Sequence, residues 1–286
     1  MYQKRTDLAL EAHELRRASG ALSGVTTRER EAHGCRVTAV ELTTPAAAEA
    51  LGKPMGTYVT LDLRGADGGD AARALGAELR ALLGGTPERA LVVGLGNDAM
   101  TPDAIGPRAA ARVLVTRHLR QSRAFAAFAS VSVLTPGVLG RTGLEAAETI
   151  RGAVAAAKPD VVLALDALAS RSLSRLCTTV QLSDTGIVPG SGVGNHRRAL
   201  DRRTLGVPVY AVGVPTVVDA ATLALDVLDE AGAAVDDPAA LRGHEGVLVT
   251  TRDIDAQIDA LARVVGYGVD LALHPIGYEA LCELLG

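Results

Sequence analysis

Two aspartates stand where acid/base chemistry could be built. Asp103 closes the segment Gly94-Leu-Gly-Asn-Asp-Ala-Met-Thr-Pro-Asp103, which follows the apolar run 91–93, and Asp166 directly ends Val161-Val-Leu-Ala-Leu165. In a parallel α/β sheet, loops that leave strand C-termini line one crevice, so two carboxylates far apart in sequence can meet there. Each also has a quieter use. Asp103 beside Pro102, or Thr101 before it, is a common helix start, and cap and catalyst weigh about evenly. Asp166 could cap a helix beginning at Ala167. A carboxylate straight after five apolar residues is costly unless paired or protonated, which tilts the reading towards a functional carboxyl group of raised pKa.

The stretch Ser183-Asp-Thr-Gly-Ile-Val-Pro-Gly-Ser-Gly-Val-Gly-Asn195 has no periodicity and reads as the wall or lid of a site, with Asp184, Gly190, Gly192 and Asn195 as candidate lining residues. Asp184-Thr-Gly matches the aspartic-protease triplet, but a tripeptide is weak evidence. No Lys-Ser/Thr follows the glycines in phosphate-loop register. In Gly213-Val-Pro-Thr-Val-Val-Asp219, Thr216 reads as an N-cap and Asp219 as a first-turn acid or a third crevice carboxylate. Gly94-Leu-Gly-Asn-Asp-Ala99 misses the dinucleotide fingerprint: Thr101-Pro102 interrupts the cofactor helix, and no acidic strand end follows at the ribose distance.

The elements that must hold these residues alternate. An amphipathic helix is expected over 8–17 and paired half-buried strands within 36–63. Helices are expected at 70–83, 104–120, 143–157, 216–231 and 252–284. Strands are expected at 91–95, 131–134, 161–165, 177–182, 207–214 and 246–250. This predicts one α/β domain over 8–286: a mostly parallel central sheet, helices on both faces, and a small N-terminal strand elaboration. The segment 232–246 reads as a surface loop.

Composition narrows the partners. The 286 residues carry a formal charge of −4, so no global basic field recruits nucleic acid. Cys35, Cys177 and Cys282 lack paired spacing, which fits reduced thiols in a cytoplasmic protein. The six histidines show no metal-ligand spacing, and no Gly-x-Ser-x-Gly elbow is present. No signal peptide or membrane span is expected. Aromatic residues make up 2 %, so the core must be closed by Ala, Val and Leu packed tightly.

Taken together and in order, several segments resemble the germination protease family of endospore-forming bacteria. They are Arg5-Thr-Asp-Leu-Ala-Leu-Glu-Ala-His-Glu14, Gly94-Leu-Gly-Asn97, Thr101-Pro-Asp-Ala-Ile-Gly-Pro107, Val115-Thr-Arg-His-Leu119, Leu134-Thr-Pro-Gly-Val138, Asp166-Ala-Leu-Ala-Ser-Arg-Ser172, 183–195 and 213–219. The resemblance implies an atypical aspartic-type endopeptidase, similar in fold to hydrogenase-maturation proteases and needing no cofactor. It implies cleavage of small acid-soluble spore proteins in the spore core at germination. Asp103 and Asp166 would be the catalytic pair. It further implies a homotetrameric zymogen that removes its own prosegment, here residues 1–7, with the cut between Asp7 and Leu8. Seven residues is short for such a prosegment, and 232–246 is abridged. The alternatives are an inactive homologue that only binds spore proteins, or a metal-assisted maturation-type protease.

Overall fold

The structure is a computed structural model that describes residues 5–17, 22–191, 197–233 and 246–285. A nine-stranded sheet runs through it. The strands are β1 (Val25–Ala32), β2 (Cys35–Leu42), β3 (Gly56–Asp62), β4 (Arg89–Gly94), β5 (Ser130–Leu134), β6 (Val161–Ser170), β7 (Thr179–Ser183), β8 (Val209–Asp219) and β9 (Leu248–Val249). Their spatial order is β1-β2-β3-β7-β8-β6-β4-β5, with β9 paired to the end of β8.

The sheet has two halves. β5, β4, β6 and β8 are parallel, whereas β1, β2, β3 and β7 run antiparallel to their neighbours and join on through β7–β8. The α/β class and the strands within 36–63 are as expected, but the sheet is mixed rather than mostly parallel. The reason is connection length. The link 171–178 between β6 and β7 is too short for a parallel crossover, which needs a dozen residues or more, so β7 comes back reversed. β1 is a charged edge, Val-Thr-Thr-Arg-Glu-Arg-Glu-Ala, whose mostly exposed side chains hid it from hydropathy patterning.

Alternate residues of each strand face opposite layers. Val92, Leu163 and Leu182 pack against α3 (Gly68–Leu83), α4 (Ile105–Ala110) and α9 (Ile254–Leu273). Val93, Val162 and Ala164 face α6 (Ala146–Ala157) and α7 (Arg202–Leu205). Further along this second face, Val40, Leu42 and Tyr58 pack against α1 (Ala9–Arg17) and α2 (Pro45–Leu51). Small residues let the layers close. A β-carbon on Gly76 would stand 2.7 Å from Leu271 Cβ, which is why α3 and α9 lie so near each other. The remaining helices are α5 (Leu139–Thr142), α8 (Ala220–Glu230) and α10 (Tyr278–Leu285).

Four expected elements come out differently. The helix over 104–120 stops at Ala110. The chain then peels away so that Thr116 clamps β5, donating to Ala129 O at 2.5 Å and accepting from Val131 N at 2.9 Å. The helix over 252–284 breaks into α9 and α10, because Pro275 has no amide to continue the ladder. β6 runs on through Asp166 to Ser170, so no helix starts at Ala167. β8 likewise runs on through Thr216 to Asp219, and it is Asp219 that caps α8, accepting from Thr222 N at 2.9 Å. Among the described residues no helix is long and apolar enough to cross a membrane.

Candidate active site

The loop carrying Asp103 is fastened at three points. Gly96 takes φ +111° and a side chain there would strike Asp103 O, so the chain doubles back over the end of β4. Gly106, at the start of α4, rests on the carbonyls of Leu95 and Leu165, which only a glycine allows. Thr216, fully buried on β8, donates its hydroxyl to Pro102 O at 2.6 Å. The half-buried Asp103 carboxylate turns back to accept from Asn97 N at 2.7 Å. It caps no helix: α4 begins at Ile105, and its N-cap residue, Ala104, offers no side-chain cap. Burial raises its pKa, while the Asn97 amide and the Arg197 charge pull the other way.

Asp166 is 5 % exposed and accepts from Ala167 N at 2.9 Å. Its pKa stands well above the usual carboxylate range. Burial is the main cause, followed by the negative charges of Asp103 and then Asp7, with the Ala167 amide and Arg197 opposing. Three carboxylates therefore share one electrostatic neighbourhood, and Asp166 is the most buried of them.

The third comes from the N-terminus. Asp7 N donates to Ala169 O at 2.8 Å, and Ala169 N returns a bond of 2.9 Å to Asp7 Oδ2. Ser191 Oγ donates to Asp7 Oδ1 at 2.7 Å. Leu8 and Ala9 are fully buried just beyond. The chain's own residues 5–9 thus lie extended against the end of the strand that bears Asp166.

Comparison with known proteins places the chain in a family. The family described as germination protease matches residues 4–231. The chain belongs to the germination protease family. It is 40 % identical to the germination protease of Caldanaerobacter subterraneus subsp. tengcongensis, over 95 % of this chain and 94 % of that one. It is 39 % identical to that of Clostridium perfringens, over 96 % of each. With that of Bacillus cereus it shares 45 % over 80 % of this chain and 66 % of the other. Among solved structures, a nickel–iron hydrogenase maturation protease from Thermococcus kodakarensis aligns at 19 % identity and TM-score 0.38, covering 67 % of this chain and 98 % of that one.

In this germination-protease relative, the other candidate residues divide. Gly190 sits at φ +75° in a turn that leads to Ser191, so it helps present the hydroxyl that holds Asp7. Asp184 is turned away to the end of β3, where its carboxylate accepts from Thr57 N at 2.8 Å. Asp219 is spent on capping α8, accepting from both the amide and the hydroxyl of Thr222. Gly192 and Asn195 lie outside the described residues. Among those described, no group of three or more His, Cys, Asp or Glu side chains is arranged to hold a metal ion.

Sequence reasoning missed four neighbours of this site: Lys53, whose Nζ donates to Thr6 O at 3.3 Å, together with Gln181, Ser191 and Arg197. The one available signal was Gln181 itself, a polar side chain between Val180 and Leu182 in a run otherwise closed to water.

Proposed function

We propose that this protease is an aspartic-type endopeptidase in which Asp103 and Asp166 act on a water molecule. Its substrates are the small acid-soluble spore proteins of the spore core, cut after an acidic residue. The observation that carries the reading is the buried Asp166 carboxyl, its pKa raised by burial and by two neighbouring carboxylates, beside a docked Asp7-Leu8 segment. Asp103, less buried and steadied by the Asn97 amide, is the ionised base, and Asp166 is the acid.

Asp103 takes a proton as the water oxygen bonds to the scissile carbonyl carbon, and Asp166 hydrogen-bonds the carbonyl oxygen. When the C–N bond breaks, the proton held by Asp103 passes to the leaving amine. Activity falls at low pH as Asp103 protonates and at high pH as Asp166 ionises. The docked segment supports the zymogen reading: residues 1–7 are the prosegment and Asp7–Leu8 is the first bond cut. The homotetramer is carried over from the family resemblance.

The experiment is mass spectrometry of a purified small acid-soluble spore protein incubated with the full chain, beside Asp103→Asn and Asp166→Asn controls. Discrete cuts after acidic residues, absent from both variants, support the dyad. A single variant that still cuts sinks it, and activity lost to a chelator and restored by metal would favour the metal-assisted alternative.

A further inference from the structure

Gly213 of β8 is the register partner of two residues at once: Asp166 on β6 and Gln181 on β7. Residues in register across a sheet point to one face, so Asp166 and Gln181 flank the same site from the strands on either side of β8, roughly 10 Å apart at the backbone. Between them stands a residue without a side chain. A β-carbon on Gly213 would come within 2.4 Å of Leu168 Cδ1, so Leu168 fills the floor there. This is the face crossed by residues 5–9.

The contacts of Gln181 bracket Leu8, one on each of the two peptide units that flank it. Its Oε1 accepts from Ala9 N at 2.7 Å, and its Nε2 donates to Asp7 O at 3.2 Å. The orientation of the carboxamide is not arbitrary. Ala9 N–H is a donor only and must face the amide oxygen, which leaves the NH₂ aimed at the Asp7 carbonyl. That carbonyl belongs to the Asp7–Leu8 bond. The acidic side chain before the bond is held separately, by Ala169 N and Ser191 Oγ.

We propose that Gln181 is the oxyanion donor for the bond following the acidic residue, and that Ala169 N–H with Ser191 Oγ forms the seat that selects that residue. The inference rests on the reading above that the Asp7–Leu8 bond is a substrate of this site. As the carbonyl carbon becomes tetrahedral its oxygen gains charge, and a donor already fixed on that oxygen strengthens without reorganising. Buried in β7 and anchored through Ala9, Gln181 meets that requirement. A spore protein entering the same groove would present its acidic residue to the Ala169–Ser191 seat and its scissile carbonyl to Gln181.

The test uses the full chain, read by intact mass for self-cleavage and by steady-state kinetics on two peptides, one with Asp-Leu-Ala and one with Asn-Leu-Ala at the cut. Gln181→Ala should lower kcat by about 10²–10³-fold with KM little changed, the size of effect seen on removing one oxyanion donor. Gln181→Glu has the same shape but cannot donate when ionised. It should be as impaired, relative to wild type at the same pH, wherever that carboxyl is ionised, while a cooperative melt shows that the fold is kept. Ser191→Ala should raise KM about tenfold for the Asp peptide and less for the Asn peptide, since hydrogen bonds to charged groups are the stronger kind.

If the wild type cuts and Asp166→Asn does not, yet Gln181→Glu keeps kcat within about threefold, the oxyanion role is overturned while the dyad stands. If Asp166→Asn still cuts, it is the dyad that has failed. A Ser191→Ala effect equal on both peptides overturns the seat.

Discussion

Asp166 and Asp270 are both buried carboxyl groups with raised pKa values, and they serve different ends. Asp270, on α9, is fully buried, and burial pushes it up to about 8. Its two oxygens accept from Leu114 N at 3.0 and 3.1 Å, and His274 Nε2, one turn on, lies 3.9 Å away. Its surroundings are a backbone amide and an imidazole inside the α9 layer, closed to any substrate. Asp166 has instead two carboxylates and a docked length of chain for neighbours. Desolvation alone therefore does not mark a site. What marks it is the company of further carboxylates competing for the proton, together with a path for a peptide to reach it.

The largest test of this distinction exchanges the same atom at the two positions. Asp166→Asn should lower cleavage by about 10³-fold or more, within the range for losing a general acid. Asp270→Asn should leave kcat/KM within about twofold, because the amide oxygen still accepts from Leu114 N. A comparable loss in both variants would show that buried carboxyls in this fold are not separable by their neighbours.

The second test is a pH dependence of stability. Burial lowers His274 to about 4 while Asp270 is raised to about 8, so the folded pair holds one proton across that range. Unfolded, Asp titrates near 3.9 and His near 6.5. Between roughly 4 and 6.5 the unfolded pair also holds one proton, now on His, so the pair adds no slope there. From about 6.5 to 8 only the folded pair is protonated, and stability must fall as pH rises, by about 1.4 kcal/mol per pH unit. Denaturant melts across this window should show the fall in wild type and its loss in Asp270→Asn. An unchanged slope in the variant would contradict the assignment.

A smaller effect is expected at Thr216, which touches neither carboxylate. Thr216→Val keeps the strand and removes the hydroxyl bonded to Pro102 O. The loss should be about 1 kcal/mol in stability. A drop in kcat of about tenfold should accompany it, as the Asp103 loop loosens over β8. Full activity would mean that Gly96 and Gly106 hold the loop unaided.

The two aspartates were legible in the sequence because each follows an apolar run, and the strand–loop rhythm put those runs in one sheet. Their alternative roles as helix caps were legible too, and each fell to a different contact: the Asp103 carboxylate turns back to Asn97 N, and Asp166 lies within a strand. β6 continues five residues beyond Leu165 because β8 beside it offers a partner in register as far as Val218, with one irregularity at Leu168/Ala169. No local signal reports such a partner. Gln181 stood out as a polar residue between Val180 and Leu182, but its role was out of reach for the same reason: its contacts span 172 and 174 positions of chain. Strand direction was equally hidden, since alternation is identical in parallel and antiparallel strands. The break at Pro275, by contrast, was readable from the ring alone.

Asp184 supplies the smallest and sharpest test. It follows β7 directly and opens an Asp-Thr-Gly triplet, so the sequence offers it as a further acidic candidate in the wall of the site. Its surroundings argue otherwise: an exposed carboxylate bonded to Thr57 N, fastening the end of β3 to β7. The reciprocal backbone bond from Asp184 N to Thr57 O is 3.3 Å, so the side chain reinforces a ladder that exists without it. Asp184→Ala should therefore cost about 1 kcal/mol in a denaturant melt and leave kcat/KM unchanged on an acidic-residue peptide. A loss of activity exceeding that loss of stability would mean that Asp184 reaches the substrate after all, and that proximity to the docked chain is too narrow a criterion for this site.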